Sequence, residues 1–410
     1  MMLRSEINYS EVSASKSDNV AKKVVFKILE KLQGVGLILI EKEGNTYHVG
    51  DQSADLQAQL MINHPGFYKR ILTGGSIAAG EAYVDGWWDS PDLTKVVQVL
   101  ARNLPILDKL EAKVGWMTAL AEKISHKIRR NNKDNARENI SAHYDLGNAL
   151  YSLFLDSKML YSCAIYRSEQ DDLLTAQTHK MDRLCRQLDL KPTDHLLEIG
   201  TGWGALAIHA AKHYGCRVTT TTISKEQYDW AKECVEQQGL GDKITLLLDD
   251  YRDLTGQYDK VVSVEMVEAV GKEYLTTYIK KCQSLLKPGG LLALQTITIT
   301  DQRYDSYSRG VDFIQKHIFP GGFLPSVTVL VNEMTKQSDF VVRDIKDIGL
   351  DYARTLSDWH KAFNQNTDKL AQLGYDQRFV RMWRYYFCYC EGGFLERSIS
   401  TVQLIASRPK

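Results

Sequence analysis

The sequence predicts an α/β protein: a doubly wound, mostly parallel sheet preceded by a smaller N-terminal α+β domain. Three observations carry this expectation. From about residue 141 onward, apolar strand-like runs alternate with amphipathic helical stretches, as in a parallel sheet with helices on both faces. One of those runs, LLEIGTGWGALAIHAA (196–211), passes from a strand through a glycine turn straight into a helix. Upstream, a basic, polar stretch marks a composition shift between this alternation and a first part of mixed short strands and helices. The expected domains are therefore 1–115, a basic linker at 116–140, and 141–410.

In chain order, short strands are expected at 35–40 and 46–49. GEAYVDGWWDSPDL (80–93) sets Gly, Asp and Pro among aromatic residues and reads as a packed turn region. Residues 122–137 carry six Lys/Arg against two acids, the basis for the linker and for a surface that attracts anionic lipid headgroups. Strands follow at 196–200, 216–222, 244–248, 260–264 and 291–299, with helices at 205–213, 225–238 and 274–286. KPGG (287–290) reads as a helix stop before the fifth strand. The polar and aromatic stretch 301–326 reads as a long loop able to close over a site, and the aromatic run MWRYYFCYC (382–390) as a wall of that site or as plain core. A last strand, SISTVQLIAS, adds an antiparallel hairpin at the sheet edge.

The composition, 44% hydrophobic and 25% charged with a formal net charge of zero, is that of a globular protein and gives no overall attraction to nucleic acid. Seven scattered cysteines without a C-x-x-C pair argue against a disulfide framework or a metal centre. The polar N-terminus lacks a secretory signal's apolar core, and no apolar run is long enough to span a bilayer. A cytoplasmic protein is expected.

The glycine turn by itself admits several nucleotide-like cofactors. A dinucleotide site needs an acid at the end of the second strand for the ribose. Here that strand ends VTTTTISKEQ, and the acid lies before the turn, as Glu198. The third strand ends LLLDDYRDL, with acid and aromatic groups where an adenine can rest. This arrangement suits a cofactor without a pyrophosphate, S-adenosylmethionine, with Glu198 facing its positively charged methionine end.

Five stretches, HYDLGNALYSLFLDSKMLYSCAIY (143–166), LLEIGTGWGALAIHAA, TTISKEQ (221–227), VSVEMVEAVG (262–271) and FPGGFLPS (319–326), together resemble the cyclopropane-fatty-acid synthases. The likeness runs in order over 141–410, and GEAYVDGWWD resembles the longer, phospholipid-using members. It implies a class I methyltransferase fold with a seven-stranded sheet and an acyl-chain tunnel, for which 301–326 would be a lid and 382–390 a candidate wall. It further implies methylene transfer from S-adenosylmethionine to the cis double bond of unsaturated phospholipid acyl chains, by an enzyme peripheral to the membrane and dimeric with itself. By the same resemblance Tyr161, Ser162, Gly200, Gly202, Thr222, Ile223 and Gln227 bind the cofactor, with Asp250, Tyr251 and Arg252 at its adenine. His143 and Asp145 are candidates for its carboxylate. The family's bicarbonate, its catalytic base, would be cradled by Cys163, Glu268, Gln295, Ile297 and Tyr352. Two positions depart from the commonest bacterial pattern, which has histidine in place of Gln295 and Glu-His in place of Glu268-Ala269.

The chemistry accounts for these parts. A cis alkene is a weak nucleophile and must be held in line with the sulfonium methyl. Its attack leaves a carbocation, so the site must be dry and aromatic. The added methyl must then lose a proton, which requires a base at that carbon. Related methyltransferases that make methyl-branched lipids or methylate a small amine are the alternative expectation.

Overall fold

The N-terminal strands pair among themselves in the computed structural model, which describes residues 14–107 and 147–410. β1 (Gly36–Glu41), β2 (Thr46–Gly50), β3 (Gln57–Ile62) and β4 (Trp88–Asp89) form one sheet in the order β2-β1-β3-β4. β1 and β2 make an antiparallel hairpin, while β3 runs parallel to β1. The 80–93 stretch is only partly a turn: its first residues complete the helix Phe67–Val84 before the chain reverses at Gly86 (φ 76°) into β4. The basic linker, His143 and Asp145 lie outside the described residues.

This first unit also takes in Gly310–Phe313 and Thr367–Glu396. The aromatic run near the C-terminus therefore departs from the expected 141–410 boundary. It lies in the helix Gln377–Leu395, which packs on the helices Phe67–Val84 and Leu93–Arg102. Trp383, Phe387 and Cys388 are fully buried there, so this stretch is core. Arg381 pins the packing from inside. Its Nε donates to the Tyr83 carbonyl at 2.7 Å, its Nη1 meets Asp89 at 2.9 Å, and its guanidinium lies 4.0 Å over the Tyr83 ring.

The second unit holds the expected alternation. β5 (His195–Ile199), β6 (Arg217–Thr221), β7 (Ile244–Leu247), β8 (Tyr258–Val264), β9 (Leu286–Ile299), β10 (Val341–Asp347) and β11 (Ile399–Ser407) form a seven-stranded sheet, ordered β10-β11-β9-β8-β5-β6-β7. β11 runs antiparallel to both its neighbours, β9 and β10, and the remaining pairs are parallel. Six strands thus share one direction. Both faces are buried, as parallel sheets require, and alternate residues supply the two cores. Leu197, Val261, Leu292, Leu294 and Leu404 face one side with Tyr278 and Ile279, whereas Leu196, Val218, Val262, Ala293 and Ile405 face the other with Met181 and Leu184.

KPGG does not end the ladder. β9 starts at Leu286 opposite Tyr258, and the next pair is Leu291 with Lys260, so the glycines form a bulge inside the strand. The 301–326 stretch is not a bare loop either, since it contains the helices Asp301–Tyr307 and Phe313–His317. No described helix is long and apolar enough to cross a membrane.

Candidate active site

The carboxyl ends of β5, β6, β8 and β9 bring the candidate residues together, where parallel sheets place their ligands. After β5 the chain turns through Gly200 (φ 101°), Gly202 (φ 53°) and Gly204 (φ 92°) into the helix Ala205–His213. The backbone N–H groups of Gly200 and Thr201 both donate to the Thr221 carbonyl, which ties the turn to β6. A Cβ added at Gly204 would lie 3.1 Å from the Cβ of Ala231, so that glycine permits close helix packing. A Cβ added at Gly202 would meet nothing within 4 Å, so the turn opens onto space that a ligand can fill. This open turn, backed by a helix N-terminus, fits S-adenosylmethionine.

Around it, the Thr222 hydroxyl donates to Gln227 Oε1 at 2.9 Å, and Ile223 between them is partly exposed. Asp250, buried, accepts from Arg252 through Nε (2.8 Å) and Nη2 (2.7 Å), which fixes both at the end of β7. Tyr251 turns inward: its ring packs edge-on against Tyr278, 5.4 Å away, in the core. Glu198 also departs from its expected part. It is buried, accepts from the Thr220 hydroxyl at 2.6 Å, and Thr220 in turn bonds Thr201 at 2.7 Å. Burial pushes its pKa up to about 8. It serves as an internal brace between turn and strand, and does not offer a free negative charge.

Tyr161 stands in an aromatic wall with Tyr151, Phe154, Phe319 and Trp359, at centroid distances from 5.1 Å to 6.3 Å. Tyr352 meets Trp359 edge-on at 6.0 Å. Next along the chain, Ser162 accepts from the ammonium of Lys180 at 2.6 Å. Lys180 is 1% exposed, and burial lowers its pKa while the charges of Glu265 and other acids oppose that shift. Gln177, one helical turn earlier, donates to the Ser162 carbonyl at 2.8 Å.

The expected bicarbonate cradle assembles, but around a side chain of the protein. Glu265, at the end of β8, accepts three hydrogen bonds. Its Oε1 takes the backbone N–H of Cys163 (2.8 Å) and the amide of Gln295 (2.9 Å), and its Oε2 takes the Tyr352 hydroxyl (2.7 Å). The backbone N–H of Ile297 and the Thr296 hydroxyl donate to Glu268 Oε1, and Glu268 Oε2 is buried without a partner. Every donor expected to hold bicarbonate is thus spent on a carboxylate of the chain. The residues as arranged here do not fit the ion, since Glu265 and Glu268 already take those donors. Gln295 is itself oriented by Gln403, its register partner on β11, which donates to Gln295 Oε1 at 2.8 Å. Cys163 contributes its backbone; burial pushes its thiol well up, and Sγ points at the carbonyls of Ala164 and Ile348.

Burial raises the pKa of Glu265, while its three donors and Lys180 pull the other way. Glu268 is raised by burial and by the charge of Glu265 beside it. Two carboxyl groups so close and so dry favour holding one proton between them. Glu265, Lys180 and Gln403 were not among the sequence candidates. Two signals could have found the first two: acids three apart closing an apolar strand in VSVEMVEAVG, and a lysine among the apolar positions of the helix Leu173–Gln187.

The mycolic acid cyclopropane synthetase family model matches residues 131–404. The chain is 37% identical over 366 residues to a tuberculostearic acid methyltransferase of Mycobacterium tuberculosis, covering 87% of this chain and 84% of that one. It is 38% identical over 358 residues to the cyclopropane-fatty-acyl-phospholipid synthase of Escherichia coli K12, covering 86% and 88%. Among solved structures, a mycolic acid cyclopropane synthase complexed with SAH and CTAB superimposes with a TM-score of 0.63 at 28% identity, over 66% of this chain and 98% of that one.

Proposed function

We propose, from the premise that this chain belongs to the mycolic acid cyclopropane synthetase family and is a class I methyltransferase, that it builds a cyclopropane ring on unsaturated phospholipid acyl chains. The observation that carries this reading is the pairing of an open glycine turn with a dry, aromatic-walled carboxylate site at the neighbouring strand ends. A methyltransferase acting on an amine needs only a base for an N–H proton. Methylene transfer to an alkene needs a cation shelter and a base at carbon, and the aromatic wall and the two buried carboxyl groups support that reading.

S-adenosylmethionine, when bound, supplies an electrophilic methyl group. The glycine turn gives it room, and Thr222, Gln227 and Asp250 offer polar groups to its ribose and adenine. Tyr161, Phe154, Trp359 and Tyr352 pack into an aromatic wall that would keep water from the carbon that becomes positive. Residues 116–140 supply positive charge to draw the protein to an anionic membrane surface, and we read the assembly as a homodimer. One relative named for tuberculostearic acid favours a second reading, a methyl-branched product.

The test is mass spectrometry of vesicles incubated with the purified protein and labelled S-adenosylmethionine. Label in unsaturated but not in saturated phospholipid, with the double bond replaced by a ring, supports the proposal. Label with a double bond kept or moved supports the branching reading, and absence of label from both lipids overturns the two together.

A further inference from the structure

We infer that Glu265 supplies the proton acceptor of this reaction from within the chain, in the place where a bicarbonate ion would otherwise be held. The inference rests on the alkene-methylation reading above. Its carboxylate takes the donors of Cys163, Gln295 and Tyr352 at 2.7–2.9 Å, a set that would serve a small planar oxyanion equally well. These donors reach it from three separate segments of chain, each anchored independently. Gln295 is turned by Gln403, Tyr352 stands in the helix Gly349–Gln365, and Cys163 precedes a backbone N–H bonded to Thr355.

The backbone gives a second, independent indication. Glu265 has φ 51°, a left-handed conformation that glycine adopts freely and a glutamate does not. A side chain kept where glycine would be at ease is a feature to be explained by what its carboxylate does. Its own backbone N–H donates to the Gln295 carbonyl at 2.7 Å, so the turn is also held in place.

The step balances without a further co-reactant. After methyl transfer the lipid carries a carbocation next to the new methyl-bearing carbon. One C–H bond of that methyl breaks, its electron pair forms the third bond of the ring, and the proton goes to a Glu265 oxygen. The proton then leaves to solvent as product departs, with Glu268 as the adjacent carboxyl that can share it.

Three proteins decide the matter: wild type, Glu265→Gln and Glu265→Gly, assayed in carbon-dioxide-depleted buffer with and without added bicarbonate. Wild type is expected to turn over equally in both. Glu265→Gln should lose at least about a hundredfold in kcat and stay lost, the share of a positioned general base. Glu265→Gly, which relaxes the backbone and empties the cradle, should lose as much and recover with bicarbonate. In parallel, carbon-13 bicarbonate binding followed by NMR should appear in Glu265→Gly and not in wild type. Wild-type dependence on bicarbonate, wild-type binding of it, or full turnover by Glu265→Gln would each overturn the inference. If wild type methylates no unsaturated lipid, the functional reading fails by itself, and the binding experiment still decides the place of Glu265.

Discussion

Replacing Tyr352 with phenylalanine removes one hydroxyl and leaves the ring that packs against Trp359. The hydroxyl donates to Glu265 Oε2 at 2.7 Å, one of three donors to that carboxylate. A hydrogen bond to a charged group contributes about 1.5–3 kcal/mol. Its loss should push the pKa of Glu265 further up, because that bond favours the ionised carboxylate. Burial already holds this carboxyl above the ordinary glutamate range, so the acid limb of kcat in the wild type lies above pH 4.5. In Tyr352→Phe the limb should move further up. Below it, kcat should fall by roughly ten- to a hundredfold, and near the alkaline plateau most of the rate should return. The assay is kcat against pH at saturating donor and lipid. A uniform loss at every pH would mean that Tyr352 only shapes the pocket, and no loss at all would refute the hydrogen-bonded base.

Three further outcomes are expected. Gly202→Val puts a branched side chain into the open space before the turn at φ 53°, so affinity for S-adenosylhomocysteine should fall at least about tenfold by calorimetry, the equivalent of about 1.4 kcal/mol. Gln403→Leu leaves the buried Gln295 Oε1 without its donor, so denaturation should report a loss of about 1–3 kcal/mol, with kcat reduced and donor KM unchanged. Glu198 has a folded-state pKa near 8 against 4.5 when free, so the native state holds more protons between those values. Its contribution to stability is full below about 4.5 and is lost as pH rises toward 8, and Glu198→Gln should flatten that slope in unfolding measured across the range.

Much of this architecture was legible because a two-sided parallel sheet writes itself as apolar runs between amphipathic helices. The helix 205–213 and the strands β5 and β6 lie within a residue or so of their expected bounds. What escaped was decided by tertiary pairing. KPGG resembles a helix stop locally, yet its glycines form a bulge because β8 offers a partner on both sides of them. The aromatic stretch near 382–390 reads as part of the second domain by position, whereas its apolar face finds partners on helices some 300 residues earlier. Within the site, Cys163, Gln295, Ile297 and Tyr352 are gathered at two neighbouring carboxylates, Ile297 at Glu268 and the others at Glu265. The sequence resemblance pointed to the donors and not to the group they serve. Glu265 ends an apolar strand, where an acid is commonly a solvated cap, and only the convergence of chain 30, 87 and 102 residues away gives it three donors.

The most direct measurement uses S-adenosylmethionine carrying a trideuteriomethyl group, with unsaturated phospholipid vesicles in bicarbonate-free buffer. The account predicts a lipid product that keeps two of the three deuteriums, in a ring, formed at the full wild-type rate. A product keeping all three, or a rate that collapses until bicarbonate is restored, would contradict it.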